Sequence, residues 1–289
     1  MTTEPHTITC TDLDAAINQY KAVGYRLDMI FPADSPREAS MSMNGESVRL
    51  VLSSSFSWPT NHGEPPKGGT PNGGTQSEWI TGRAGMEYRD LIPGRLGGKV
   101  IASHIRLAKG GEVPDYVHYH KVDFQMIYCK RGRIKVVYEY QGEPFWLETG
   151  DCVLQPPEIR HRVLYAEAGA EVIEVSIPAE HETWVEHDMD LPNGSVDTAR
   201  DFSGQLFVLS RAEEADWELS GLRGFERREM GIAIASGGVA NVQVFRPVSP
   251  RSEGVTNAVC ESGKGILICM EDGSSILIDF LSDRSVTAV

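Results

Sequence analysis

The sequence predicts a mainly β protein: an all-β barrel or sandwich, with a small α/β module before it and a shorter β unit after it. Three observations carry this prediction. Short apolar runs of period two recur between turn residues from Trp79 to about Pro178. The first 52 residues instead mix strand-like runs with one helical pattern. The stretch after residue 190 repeats the start of the barrel.

In the module, residues 1–52, His6–Cys10 reads as a short strand. Thr11 offers a helix N-cap with Asp14 three residues on. Leu13, Ile17 and Tyr20 then share one helical face, and Gly24 stops the helix. Tyr25–Phe31 and Ser47–Leu52 read as strands, giving the order βαβββ. That order resembles half of a vicinal-oxygen-chelate unit, a superfamily that takes a metal ligand from its first strand, where His6 sits. A working site there needs two such modules, and His6 reads better as a surface histidine. Residues 53–78 are rich in Ser, Gly and Pro and read as a linker, with His62 solvated.

In the barrel unit, residues 79–190, the clearest strands are Lys99–Leu107, Phe124–Cys129, Ile134–Tyr140, Cys152–Gln155, His161–Tyr165 and Glu171–Ile177. Lys130-Arg-Gly132, Gln141-Gly142 and Thr149-Gly-Asp151 supply the turns. In the last unit, residues 191–289, Trp217, Gly224, Met230, Gly237-Gly238 and Phe245-Arg246 repeat Trp79, Gly85, Leu91, Gly97-Gly98 and Ile105-Arg106. The repeat sets Ala258, Val259 and Cys260 opposite His118, Tyr119 and His120, and no histidine follows His187. The second unit therefore cannot rebuild an imidazole site, and it is short, so its barrel is either incomplete or completed by another segment or subunit.

The chemistry gathers at His118-Tyr119-His120. Two histidines two apart on a strand point to one face. Gln125 follows after four residues and Gly132 after six more; later come Gly150, Pro156, Glu158 and His161. Three imidazoles and one amide oxygen converging in a barrel suit a divalent metal.

This two-part pattern resembles the cupin superfamily: a glycine ahead of H-x-H, an acidic ligand, a glycine, then G-x5-P-x-G-x2-H. The resemblance sharpens the barrel to a double-stranded β-helix and, with the repeat, implies a bicupin whose second cupin unit is degenerate. Three departures stand out. The first spacer is one residue longer, Glu158 replaces a glycine, and Gln125 replaces the acidic ligand. The resemblance implies one divalent transition metal, Fe(II) first, with Mn, Zn, Ni and Cu as alternatives, held by His118, His120, His161 and either ligated or hydrogen-bonded indirectly by Gln125. Four neutral donors would leave the ion its full charge, a stronger Lewis acid than a glutamate-bearing site. It also implies a homodimer.

The remaining polar residues have plainer readings. His104 reads as a hydrogen-bonded core or surface histidine, Tyr119 as packing away from its neighbours, Asp123 as a solvated turn carboxylate, and Glu158 as structural. Arg160 and Arg162 would face away from His161. Tyr138 and Trp146 read as barrel filling ahead of pocket lining. His181 and His187 read as part of an exposed segment joining the two units.

The net charge of −14 argues against nucleic acid and anionic membranes as partners. No long apolar run or basic leader is visible, so a soluble cytoplasmic chain is the default. Five scattered cysteines without C-x-x-C read as reduced thiols. Two kinds of function fit. One is a mononuclear metal enzyme with a small-molecule substrate: an Fe(II) dioxygenase acting on an enol, phenol or carboxylate, or a non-redox isomerase, decarboxylase or lyase, with Gln125 as the candidate catalytic residue, hydrogen-bonding a bound water or substrate. The other is a small-molecule-binding barrel without catalysis.

Overall fold

The computed structural model describes residues 5–53, 78–82, 85–194, 196–249, 258–262 and 264–281. The expected linker and its His62 therefore lie almost wholly outside the described residues. The N-terminal module runs β1 (His6–Cys10), α1 (Leu13–Ala22), β2 (Arg26–Phe31), β3 (Glu38–Met43) and β4 (Glu46–Leu52), the βαβββ order expected. Helix α1 starts one residue later than the sequence suggested. Asp12 is the N-cap and accepts from the Ala15 amide. Gly24, at φ +103°, ends it, with the Tyr25 amide returning to the Tyr20 carbonyl. Leu13 and Ile17 pack the helix onto Leu27, Met41 and Leu50 of the strands.

The next elements are β5 (Ile80–Thr81), β6 (Glu87–Asp90), the helical turn α2 (Arg95–Gly98), β7 (Ile101–Leu107), β8 (Gly111–Glu112) and β9 (His118–His120). They continue through β10 (Phe124–Arg131), β11 (Arg133–Tyr138), β12 (Phe145–Glu148), β13 (Cys152–Leu154), β14 (His161–Ala166), β15 (Ala170–Ile177), β16 (Thr183–Val185) and β17 (Val208–Ser210). Two sheets face each other. One has the order β17-β13-β10-β15-β7-β6-β5; the other runs β1-β4-β3-β2-β16-β9-β14-β11-β12, with β8 beside β14. The second sheet is shared, because β16 pairs with β2 on one side and β9 on the other. The α/β module thus continues a wall of the barrel. Ile105, Ile127, Ile134, Val136, Leu147 and Val172 fill the space between the sheets.

The motif glycines have conformational reasons. Gly132 and Gly150 sit at φ +68° and +90°, where a Cβ is disfavoured. Glu158, in the place of a third motif glycine, also has positive φ, +59°, and is exposed at its turn as a structural residue should be.

The last elements are β18 (Glu218–Leu219), β19 (Phe225–Glu229), α3 (Ile232–Ala235), β20 (Ala240–Pro247), β21 (Ala258–Ser262), β22 (Gly265–Cys269) and β23 (Ser275–Phe280). They make one sheet, β18-β19-β20-β23-β22-β21. The repeat is physical: Trp79 lies against Arg89 and Arg106 at 4.8 and 4.4 Å, and Trp217 lies against Arg228 and Arg246 at 6.0 and 3.9 Å. Arg106 pairs with Glu87 and Arg246 with Glu226 in the same way. Among the described residues this unit forms a single sheet. Its Val242, Val244, Ile266, Ile268, Ile276 and Ile278 bury one face against Ala102, Phe124, Met126, Ile173 and Val175 on the outer face of the barrel's seven-stranded sheet. Among the described residues, no helix is long and apolar enough to cross a membrane, and the described cysteines Cys10, Cys129, Cys152 and Cys269 form no disulfide.

Candidate metal centre

Strand pairing builds the site. His118 on β9 is the register partner of His161 on β14, and His120 shares the face of His118. His118, His120 and His161 are 1%, 8% and 6% exposed. One ligand nitrogen from each lies within 4.8 Å of the others, a cluster that could hold a metal ion. Ring centroids stand 4.3 Å apart for His118–His161, and 5.2 Å for both His118–His120 and His120–His161.

Each imidazole is tethered from behind. His118 Nδ1 donates to the Tyr116 carbonyl at 2.8 Å, and His161 Nδ1 to the Ile159 carbonyl at 2.9 Å. A carbonyl only accepts, so both Nδ1 atoms carry the proton and both Nε2 atoms carry the lone pair. His120 Nδ1 meets the Thr183 hydroxyl at 2.9 Å. The donor set fits a divalent transition ion: neutral imidazoles, lone pairs inward, orientation fixed by outer partners.

Gln125 is 1% exposed and engaged at both ends of its amide. Its Oε1 accepts from Gln155 Nε2 at 2.9 Å, and its Nε2 donates to Glu174 Oε1 at 3.2 Å. Gln155 in turn accepts from the Tyr138 hydroxyl at 2.6 Å, and Ser176 Oγ donates to Glu174 at 3.3 Å. Burial pushes the Tyr138 phenol well above its ordinary value, so it stays a donor. Tyr138 both fills the barrel and stacks on His161, centroids 5.6 Å apart.

The three imidazoles, Tyr138, Gln155 and Glu174 share a cavity of about 70 Å³ whose other walls are largely aliphatic, Ile105, Leu107 and Val136 among them. Glu174 is the residue that the sequence reading missed. A signal was present: Ala170, Val172, Glu174 and Ser176 share one face of β15, and a carboxylate on a barrel-facing stripe needs a reason.

Two expectations are corrected. The Ala179–Asp188 segment is exposed at His187 and Asp188, as expected, but not around His181 and Thr183. His181 is 4% exposed, stands 5.4 Å from His120, and bonds through Nδ1 to the Pro178 carbonyl. His187 is tied to the Leu27 carbonyl at 3.0 Å. The segment contains β16, which the sequence reading left out because it is three residues long. Trp146 neither fills the barrel nor lines the cavity; it lies against Arg133 and Tyr165.

The other readings stand as follows. His104 is buried, with Nε2 on Glu171 at 2.8 Å and Nδ1 beside Arg89 at 2.9 Å. Burial first, then Lys130, brings its pKa down to about 4. Tyr119 packs under the Arg160 guanidinium at 4.2 Å, Asp123 is exposed, and His6 is exposed on β1.

Residues 103–176 match the family model described as Cupin domain. The barrel is a cupin. The repeated Trp–Arg clamps relate the third sheet to the start of that barrel. Among solved structures, a variant of Bacillus subtilis oxalate decarboxylase is 12% identical, covering 75% of this chain and 76% of that one, with a TM-score of 0.45. An RmlC-like cupin from Shewanella frigidimarina is 25% identical over 36% of this chain and 85% of that one, with a TM-score of 0.29. No curated protein matches the sequence.

Proposed function

We propose that this cupin binds one divalent transition metal through His118, His120 and His161, and that it is an Fe(II) dioxygenase acting on a small substrate that chelates through oxygen. The observation that carries the reading is the set of three buried imidazoles, each held at Nδ1 and clustered on one cavity. Iron, when bound, supplies Lewis acidity, redox capacity and positions for substrate and dioxygen. Gln125 is assigned to holding Gln155 and Glu174 in place rather than to ligation, because its amide bonds both of them and it does not line the cavity that the imidazoles share.

Cavity size narrows the substrate. A water needs roughly 10–15 Å³ of such space, so about 70 Å³ takes on the order of five non-hydrogen atoms. That favours a short carboxylate or enol over a phenol. The aliphatic walls exclude bulk water and strengthen every charge interaction inside.

A second reading has its own observation. Glu174 puts a carboxylate on the cavity within hydrogen-bond reach of Gln125 and Ser176, placed to hold or release a proton. A non-redox decarboxylase, isomerase or lyase would use it so. Elemental mass spectrometry of the purified protein beside His118→Ala and Gln125→Ala comes first. About one equivalent of iron, lost in His118→Ala and kept in Gln125→Ala, is expected. Short carboxylates are then screened with and without oxygen. Turnover that persists without oxygen moves the function to the second reading, and absence of metal after reconstitution sinks both.

A further inference from the structure

A second cavity lies where the two halves meet, between β17 and the β18–β19 edge. It measures about 440 Å³ and shares no lining residue with the barrel cavity. At its floor is Arg228, 3% exposed. The guanidinium donates through Nη2 to the Gly150 carbonyl at 2.8 Å and through Nε to Met230 Sδ at 3.2 Å. No carboxylate lies within ion-pair distance of it among the described residues. The neighbouring Arg211 also lines the cavity, but it is matched: Asp151 stands 2.8 Å from its Nη1. The floor thus holds two guanidiniums and one carboxylate, an excess of one buried positive charge. Burial lowers the pKa of Arg228 against the opposing pull of Tyr128, Cys152 and Asp151.

The mouth has the opposite sign. Glu214, Asp216 and Glu229 line it and are exposed. Glu229 accepts from the Gln243 amide, which carries no charge. The fourth acid, Glu218, is neutralised by Arg227 at 2.8 Å. Trp217 forms a wall between floor and mouth. A simple anion would satisfy the floor but meet repulsion on entry; a simple cation would satisfy the mouth and be repelled at the floor. A molecule carrying both charges matches both.

We propose that this inter-unit cavity binds a free amino acid with a cationic side chain, its carboxylate on Arg228 and its ammonium groups at Glu214 and Asp216. A bidentate carboxylate is the natural partner of a planar guanidinium, and Trp217 offers a face to the cationic stem. The proposal is independent of the metal reading, since no residue lining the imidazole cavity lines this one.

The probe is L-lysine, titrated calorimetrically into the whole chain, with cadaverine (lysine without its carboxylate) and hexanoate as controls. L-Lysine is expected to saturate one site with Kd below about 1 mM, with both controls at least about ten-fold weaker. Arg228→Gln should lose at least about ten-fold, and the surface pair Glu214→Gln/Asp216→Asn several-fold. His118→Ala should bind as wild type, which separates this site from chelation at the barrel metal. Cadaverine binding as tightly as lysine, lysine binding abolished in His118→Ala, or no saturable binding would each overturn the proposal. Should Arg228→Gln fail to fold, the comparison of the three probes on the wild-type chain still decides.

Discussion

Thr183→Val tests whether the shared sheet tunes the metal site. The swap keeps the β-branched shape on β16 and deletes only the hydroxyl that meets His120 Nδ1 at 2.9 Å. Thr183 is 1% exposed, so water cannot easily replace that oxygen. A buried donor left without its acceptor costs about 1–3 kcal/mol, and loss of a partner behind a metal-bound histidine typically lowers affinity about 10–100-fold. The two estimates agree, because ten-fold is about 1.4 kcal/mol. The assay is competition against a chelating metal indicator, with circular dichroism to confirm the fold. An expected weakening of about 10–100-fold would show that β16 orients His120. Unchanged affinity in a folded variant would refute the chain of reasoning from β2 through β16 to the site.

Three further outcomes are expected. Glu174→Gln should keep the metal, as read by elemental analysis, yet lower kcat about 10²–10⁴-fold if the carboxylate moves a proton; equal turnover would remove Glu174 from the chemistry. His104 should make stability depend on pH. Its ordinary value of 6.5 falls to about 4 in the fold, so the unfolded chain binds a proton that the folded chain refuses between those values. Its contribution is whole above about pH 6.5 and is lost as pH falls towards 4, at most about 3 kcal/mol. His104→Asn should flatten that part of the urea-denaturation profile; an unchanged slope between pH 7 and 5 would contradict it. Phe124→Ala removes a ring with 0% exposure from the seam between the halves and should cost about 3–5 kcal/mol in the same assay.

The legible parts of this chain were those with long periodic strands or fixed spacing. Phe124–Arg131 announces itself by length and its apolar run, Ala170–Ile177 by length and β-branched content, and H-x-H with its distant His161 announces the imidazole cluster. What escaped was short or depended on a partner strand. Thr183–Val185 is a strand only because β2 and β9 flank it. Nothing in three residues signals that, so His181 looked exposed. The network around Gln125 was illegible for a related reason. Its members, Tyr138, Gln155 and Glu174, come from β11, the end of β13 and β15, and only the barrel's closure brings them together.

The degenerate half has a structural role that needs no metal. The outer face of the barrel's seven-stranded sheet carries Ala102, Phe124, Met126, Ile173 and Val175, all of them at most 2% exposed. Without the third sheet these side chains would form a contiguous apolar patch of the kind that drives aggregation. The second unit needs only one sheet to cover them. Its β20, β22 and β23 keep their apolar stripe, and among the described residues they face no opposing sheet of their own unit. A repeat under that requirement alone must keep alternation on one face and is free to lose ligands on the other. Val242, Val244, Ile276 and Ile278 keep the stripe, and no histidine remains after His187. Covering the first barrel and supplying Arg228 to the cavity at the seam are the two roles left to it.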